Sequence, residues 1–514
     1  MNITFVYLET FWTEHLGPEK DRYIDIRVGA NLPLGIATVR AYISRDPDVR
    51  KSVKMSNLKF HDAIAEREAL EQIRKTKPDV AAFSIFLWNA PRTYSIIKLL
   101  KQEMPEVKIV VGGPEIPRKP ELLRAFLGDL REIDLCVRGE GEETFKQLVK
   151  AWLAKKPIDK IDGIAFRDGA DIVINQQRAG LDDIADLPSP YLENALEIFG
   201  NSDRGMLCVE TSRGCPLVCS YCDYHAGRRT MRHFSIERLD AELTMLREKK
   251  FEGVIYITDP FLNVKKERCL EVFKILQKCP NRFLMELKAE HFDDELISEL
   301  GKIPCATVAL GVQTTGPEAI KNIERPFNID RCAKNISKIM HFKNLRLDLE
   351  FILGLPGDNY ESFKSSLDWA LQFVPMVNFT LFDLVMLPNA PIADHVEKYK
   401  IETDAEGLIT SNYSFSEEDM MKASWLFVAY CYIRETPKLW ADFGAFLQNP
   451  DRKGRPSAML EKVAKQLLDT GFIPRERIVG QGGRRKNDDQ RKRSRRWVEI
   501  SPFTNIGVEA EAWW

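Results

Sequence analysis

Residues 215–222 read Cys-Pro-Leu-Val-Cys-Ser-Tyr-Cys, so Cys215, Cys219 and Cys222 stand in a C-x3-C-x2-C array. They follow a short apolar run at 207–210 and a glycine, Gly214, which places them on a loop at the end of a strand. Three thiolates at this spacing can hold three irons of a [4Fe–4S] cluster and leave the fourth iron open to a small chelating ligand. His225 lies close behind, so a Cys3His zinc site is the competing assignment, and three unrelated buried cysteines the bland one. The other seven cysteines, Cys136, Cys208, Cys269, Cys279, Cys305, Cys332 and Cys431, are scattered singly. That is no disulfide framework, and a reducing cytoplasm fits it best.

Downstream of the array, strand-like runs recur at 207–210, 253–258, 282–287, 306–312, 345–353 and 379–385, with helical patterns between them, as at 236–249 and 361–372. Six strands alternating with helices predict a partial (β/α)6 barrel over 207–409. Upstream, strands are expected at 3–8, 53–58, 79–84, 107–111 and 132–137, with helices at 34–44, 65–75 and 93–103. This predicts a Rossmann-like, doubly wound α/β domain over 1–153, whose ligand would sit at the carboxyl ends of its strands. Residues 154–206 read as a connector with a hairpin at 163–175, turning at Asp168-Gly169. Residues 410–514 read as a mostly helical C-terminal, substrate-side domain.

Bulk properties narrow the function. A chain of 514 residues has room for two or three domains, and 44% hydrophobic with 29% charged residues is ordinary for a globular protein. The formal net charge of −2 gives no basic field for nucleic acid. No apolar run reaches the ~18 residues of a membrane span. The opening MNITFVYLETFWTEHLG has no basic leader and reads as a first strand, not a signal peptide. The segment 484–496 holds eight basic residues against two acidic ones, read as a solvated loop before a docking patch for an acidic or protein substrate. Trp425, Tyr430, Tyr432 and Trp440 read as core, and Trp513 and Trp514 carry no assigned role.

With Tyr221 just before its third cysteine, the array resembles the radical S-adenosylmethionine (SAM) superfamily. Leu310-Gly311-Val312-Gln313-Thr314-Thr315, then Pro317-Glu318-Ala319 and Glu324-Arg325, looks like that barrel's fourth-strand segment. Ile352-Leu353-Gly354-Leu355-Pro356-Gly357-Asp358 looks like its fifth-strand loop near the SAM adenine, and Asp259-Pro260-Phe261-Leu262-Asn263 ends the second strand. The resemblance implies that Cys215, Cys219 and Cys222 hold the cluster and that Tyr221, Asp259, Gln313, Gly354, Leu355 and Pro356 line SAM. The Gly-Gly-Glu by which many of these enzymes grip the SAM amino group is absent, which leaves that contact unassigned.

The N-terminal domain resembles the cobalamin-binding domain that precedes some of these barrels. The matching segments are Leu32-Pro33-Leu34-Gly35, residues 84–88, Val111-Gly112-Gly113-Pro114-Glu115 and Arg138-Gly139-Glu140-Gly141-Glu142. The implied cobalamin contacts are Leu34, Gly35, Ser84, Phe86, Trp88, Gly112, Gly113, Glu115, Gly139, Glu140 and Gly141. Some cobalamin proteins place Asp-x-His-x-x-Gly after the first strand; here Glu14-His15-Leu16-Gly17 has the wrong spacing. No histidine lower ligand is therefore expected, and His15 and His61 receive no functional role.

This pairing of domains implies a cobalamin-dependent radical SAM methyltransferase acting on an unactivated carbon. One SAM would methylate cobalamin; a second would yield the adenosyl radical that removes a hydrogen from the substrate, which then takes the methyl. The substrate would lie between corrin and barrel, roofed by the C-terminal segment. Rearrangement, cyclisation or oxidation without methyl transfer is the first rival, and a non-catalytic cobalamin or iron–sulfur sensor the second. The absence of a second cysteine cluster argues against enzymes with an auxiliary cluster, including transfer-RNA methylthiotransferases. An electron donor such as flavodoxin or ferredoxin is implied, with a substrate that could be a small molecule, lipid or peptide side chain.

Overall fold

The computed structural model describes residues 1–9, 32–61, 64–199, 205–224, 229–374, 377–404, 407–449 and 454–470, and the backbone of 475–476 and 498–499. His15 with its flanking segment, His225, the basic stretch 484–496, Trp513 and Trp514 lie outside the described residues.

The first sheet grows outward from β1 (Asn2–Glu9), in which every residue after Asn2 is buried. It continues as α1 (Leu34–Ser44), α2 (Pro47–Ser52), β2 (Lys54–His61), α3 (Glu66–Lys75), β3 (Val80–Ser84), α4 (Ala90–Glu103), β4 (Lys108–Gly112), α5 (Pro120–Asp129), β5 (Leu135–Val137) and α6 (Glu142–Leu153). A hairpin of β6 (Ile164–Asp168) and β7 (Asp171–Ile174) completes seven strands in the order β2-β1-β3-β4-β5-β6-β7. β1 pairs in parallel with β2 on one side and β3 on the other, so the strand order reverses direction there. Such a reversal opens a crevice at the strands' carboxyl ends. The hairpin expected in a connector instead joins this sheet, because β6 runs antiparallel to β5.

Local chemistry sets the helix ends. The Asp46 carboxylate accepts the amides of Asp48 (3.0 Å) and Val49 (3.3 Å) at the start of α2, with Pro47 in the first turn, where its missing N–H costs nothing. α3 opens on Glu66 and Glu68 and closes on Arg74 and Lys75, matching the helix dipole at both ends.

The second unit runs α7 (Ala195–Phe199), β8 (Met206–Val209), a short antiparallel ladder of β9 (Ser212–Arg213) with β10 (Arg232–His233), then α8 (Ile236–Glu248), β11 (Val254–Ile257), α9 (Lys266–Leu276), β12 (Arg282–Leu287), α10 (Asp294–Leu300), β13 (Ala306–Gln313), α11 (Pro317–Asn322), α12 (Ile329–Ile339), β14 (Leu345–Leu353), α13 (Tyr360–Leu371) and β15 (Val377–Asp383). Its six long strands pair in parallel in the order β8-β11-β12-β13-β14-β15, the open barrel that the alternation predicts. Burial alternates strictly along β12: Phe283, Met285 and Leu287 are buried, while Arg282, Leu284 and Glu286 take the other face.

After α14 (Val396–Tyr399) and a hairpin of β16 (Glu402–Thr403) with β17 (Ile409–Ser411), the chain forms α15 (Glu417–Glu435), α16 (Pro437–Gln448) and α17 (Pro456–Asp469). These helices seat on the outside of the barrel. Tyr430, fully buried, packs on Phe379 of β15 with ring centres 4.0 Å apart. Tyr360 of α13 donates to Glu461 of α17 at 2.8 Å, and the Ser457 amide donates to Asp368 at 2.7 Å. Trp425, Tyr432 and Trp440 pack against the same apolar core. Among the described residues no helix is long and apolar enough to cross a membrane.

The crevice of the first sheet depends on Gly113, at φ +113°, where an added Cβ would stand 2.4 Å from the Ile85 carbonyl oxygen. Neither the backbone of Ile85 nor the positive φ can yield without strain. Gly113→Ala should destabilise the N-terminal domain by about 2–4 kcal/mol, read as a lowered Tm. A wild-type Tm would show that the two loops can part freely.

Candidate cofactor site at the seam of two sheets

The chain leaving β8 is fixed by one carboxylate. Asp259, fully buried beyond β11, accepts the Thr211 amide (2.8 Å) and hydroxyl (2.7 Å) and the Ser212 amide (3.2 Å) and hydroxyl (2.5 Å). Burial pushes its pKa up and the hydroxyls hold it back. With these four donors, Asp259 serves the backbone ahead of the cysteines.

The cysteine loop begins at Gly214 with φ +96°, and contacts from across the barrel hold it. The Ser220 amide donates to the Ile323 carbonyl at 3.0 Å, and the Ile392 amide donates to the Ser220 carbonyl at 2.7 Å. The Cys222 amide turns back onto the Cys219 carbonyl at 3.1 Å. Tyr224 donates its hydroxyl to the Thr258 carbonyl at 2.6 Å. Cys215, Cys219 and Cys222, all unpaired thiols, line a cavity of about 150 Å³ together with Tyr221, Gln313 and Arg325.

Arg325 is a cation beside Cys219. One terminal nitrogen donates to the Gly311 carbonyl at 2.7 Å, while the other lies 3.7 Å from Cys219 Sγ and 3.5 Å from the Tyr221 hydroxyl. Its Nε is buried without a partner. Burial opposes its charge, yet Tyr221 and Cys219 hold its pKa above the ordinary value. Burial also raises Cys215, and pushes the Cys222 thiol up to about 12. Iron ligation requires the thiolates, so these protons leave when metal binds.

The donor set suits a cluster. Among the described residues no three His, Cys, Asp or Glu side chains converge as a mononuclear site requires. In a cluster each sulfur takes a different iron, so thiols facing one cavity from separate positions fit it. Close packing continues around the cavity. A Cβ on Gly311 would lie 2.6 Å from Gln313 Nε2, and Gln313 itself holds φ +70° where β13 bulges. Such strain in a residue with a side chain is a mark of functional positions.

The cavity residues absent from the set expected from sequence include Phe261, Glu286, Lys288 and Glu350. Glu286 accepts from the Tyr256 hydroxyl, and burial raises its pKa. Lys288, 2% exposed, bonds Glu290 at 2.8 Å and the Pro326 carbonyl at 3.0 Å. The signal for Glu286, Lys288 and Glu350 was charge at alternate positions along an otherwise apolar parallel strand and its continuation. The 354–356 loop does not line this cavity. The Gly354 carbonyl accepts from Asn412 at 2.9 Å, Leu355 is fully buried, and the Pro356 carbonyl accepts from Asn322 at 3.1 Å. A Cβ on Gly354 would meet Met420 Cε at 3.2 Å, so the C-terminal segment covers this loop.

On the first sheet, the residues expected around cobalamin follow the ends of β1, β3, β4 and β5: Leu34 and Gly35 open α1, Ser84 ends β3, Gly112 ends β4, and Gly139 to Gly141 precede α6. Phe86 and Trp88 stack at 4.6 Å. Asn89 holds their loop, accepting the Phe86 amide at 2.8 Å and donating to the Leu8 and Ser84 carbonyls at 3.2 Å each. A Cβ on Gly35 would enter open space. Glu140 is engaged elsewhere: its carboxylate takes both terminal nitrogens of Arg232 and, at 3.2 Å, the Leu181 amide. Glu115, beside Asp223, is pushed up to about 7 by burial and by that neighbouring charge.

Comparison with known proteins agrees with this architecture. Residues 209–370 match the Radical SAM superfamily and residues 28–149 match the B12 binding domain. The cobalamin-dependent radical SAM methyltransferase TokK of Streptomyces tokunonensis is 27% identical over 72% of this chain and 56% of its own length. The 2-(S-pantetheinyl)-carbapenam-3-carboxylate methyltransferase of Streptantibioticus cattleyicolor is 25% identical over 88% of this chain and 67% of its own. This chain thus spans little more than half the length of the first relative. The structure of the cobalamin-dependent S-adenosylmethionine radical enzyme OxsB, with aqua-cobalamin and S-adenosylmethionine bound, shares the fold at a TM-score of 0.64 and 15% identity, over 94% of this chain and 77% of that one. A segment matching the B12 binding domain and a segment matching the Radical SAM superfamily thus lie in that order on one chain, and the cofactors these two domains imply are cobalamin, a [4Fe–4S] cluster and S-adenosylmethionine.

Proposed function

We propose that this chain is a radical SAM C-methyltransferase that moves a methyl group from SAM, by way of cobalamin, to an unactivated carbon. The observation that carries this reading is a juxtaposition: Asp223, next to Cys222, is ion-paired at 2.8 Å with Arg118, on the loop that follows Gly112 and Gly113. The loop at the mouth of the barrel is therefore in contact with a loop at the mouth of the first sheet. An unactivated carbon is no nucleophile and cannot take a methyl cation from SAM directly. When bound, the cluster with SAM supplies a hydrogen-abstracting radical and cobalamin supplies the methyl group.

The protein's part is to hold and to exclude. Cys215, Cys219 and Cys222 hold the cluster. Arg325 and Lys288 give the cavity two buried cations for the SAM carboxylate, while Glu286 and Glu350 face the sulfonium or amino group. Tyr221 and Gln313 line the same wall, and Phe261 keeps water from it. On the other sheet Leu34, Gly35, Ser84, Phe86, Trp88, Gly112, Gly113, Glu115, Gly139 and Gly141 face the corrin, with no histidine ligand to cobalt. The partners are a substrate held between the two sheets and an electron donor of the flavodoxin or ferredoxin kind, in a reducing cytoplasm.

Anaerobically reconstituted protein given SAM with a deuterated methyl group should form S-adenosylhomocysteine and label its cobalamin, as well as releasing 5′-deoxyadenosine. Deoxyadenosine without the homocysteine product would overturn methyl transfer and favour a rearranging, cyclising or oxidising enzyme. Absence of both products would favour a sensor.

Arg325→Ala should leave iron content unchanged and weaken SAM binding. Loss of one charge-assisted hydrogen bond, about 1.5–3 kcal/mol, corresponds to roughly 10–100-fold in Kd. The change that SAM causes in the cluster's EPR spectrum would report it, and unchanged affinity would remove Arg325 from the SAM site.

A further inference from the structure

Between β9 and β10 the chain carries the cysteines, and each flank of that loop ends in a charged side chain aimed at the first domain. Arg213, two residues before Cys215, pairs through one terminal nitrogen with Glu142 at 2.8 Å and through Nε with Glu210 at 3.0 Å. The Arg213 and Glu142 side chains are 13% and 5% exposed. Asp223, the residue after Cys222, pairs with Arg118 at 2.8 Å. Asn389, from the loop after β15, locks that second contact. Its side-chain oxygen accepts the Arg118 amide at 2.7 Å, and its nitrogen donates to Asp223 at 3.1 Å and to the Ile116 carbonyl at 3.2 Å.

The two anchors on the first domain lie on different elements, Arg118 on a loop and Glu142 at the first turn of α6. Arg118 follows β4 and Glu142 follows β5. Beside Glu142, Glu140 holds Arg232, the other strand of the β9–β10 ladder. We propose that the pairs Arg213–Glu142 and Asp223–Arg118 form a two-point clasp that sets the spacing of the cluster from cobalamin, with Arg118, Glu142 and Arg213 as positioning residues. It rests on the proposed function only in taking the cluster to sit at the three cysteines and cobalamin at the first sheet.

Simple adhesion between domains does not account for the arrangement. A desolvated ion pair adds little net stability over apolar packing of the same volume, but it is directional and fixes register. A single pair would leave the loop free to pivot about it. Two pairs on opposite flanks, reaching different elements, remove that freedom. The charged residues of the Arg-Gly-Glu-Gly-Glu segment thereby face the barrel and leave its glycines for the corrin edge.

The test uses full-length protein reconstituted with iron, sulfide and hydroxocobalamin, then reduced so that cluster and cob(II)alamin are both paramagnetic. Pulsed EPR reads the distance between them. Wild type and Arg118→Lys should each give one narrow distance. Arg118→Gln and the Arg118→Gln/Glu142→Gln double variant should give a shifted, broadened distribution with iron and cobalamin contents unchanged. An unchanged narrow distance in the double variant overturns the clasp. So does loss of bound cobalamin in Glu142→Gln alone, which would make Glu142 a cofactor contact. If the double variant does not fold, Arg118→Gln decides alone, because the Arg118 side chain is already 25% exposed. Were wild type to take up no cobalamin, the cofactor reading would fail separately. Hydrogen exchange of residues 206–224 would then read the clasp in the cobalamin-free chain: faster exchange in Arg118→Gln supports it, and equal exchange overturns it.

Discussion

The carboxylate of Asp259 is the contact on which the rest of the site depends. It lies buried at the end of β11 and gathers two amides and two hydroxyls from Thr211 and Ser212. A buried carboxylate with no donors would lose its charge or unfold its surroundings, and one with four donors becomes a rigid node. The node fixes where β8 ends and where the ladder of Ser212–Arg213 with Arg232–His233 begins. Direction therefore passes from the barrel's second strand to its first, and from there to the cysteines. Three thiols on a loop can meet a cluster only if the loop's entry is fixed to a fraction of an ångström. Asp259 supplies that fixity without touching a sulfur.

The charges inside the barrel follow a different logic. Lys288, Arg325, Glu286 and Glu350 all line one small cavity among parallel strands that are otherwise apolar. Keeping ionised groups there costs several kcal/mol each in desolvation, so stability alone does not explain them. In the proposed site Arg325 would meet the carboxylate of SAM, and Glu286 and Glu350 its ammonium and sulfonium, while Lys288 is already paired with Glu290. On that proposal the acids come from β12 and β14, in place of a Gly-Gly-Glu after the second strand.

Much of this was legible in the sequence for local reasons. The cysteine array, the βα alternation and the glycines after strands are all encoded within a few residues, and the six parallel strands appear in the expected order. What escaped is long-range or masked by proline. Helix α5, where the sequence analysis expects no helix, begins at Pro120 behind Pro114 and Pro117, and each proline restricts the residue before it. At the first helical turn, however, proline's missing N–H is no loss. The hairpin 164–174 was visible, but which edge it joins depends on hydrogen bonds to Leu135, Cys136 and Val137. Glu286 and Glu350 could be assigned to the cavity only once it was known which face of β12 and β14 looks inward. The covering of Gly354 by Asn412 and Met420 joins residues about sixty apart, and no local pattern encodes it.

The two sheets pose a problem that neither solves alone. In the proposed methyl transfer a carbon radical made at the barrel would react with whatever lies nearest, so the methyl donor would have to be in place when it forms. A flexible tether would supply a high local concentration of the second cofactor but no fixed direction. In this chain the seam is built from side chains whose geometry is directional: Arg213 on Glu142, Arg118 on Asp223, and Asn389 spanning both partners of the second pair. All of them bear on the loop that carries the cysteines or on the loops that follow Gly113 and Gly141. The residues that join the domains are thus the neighbours of those proposed to hold the cofactors, and on that proposal the distance between the two reactive centres is a property of the fold.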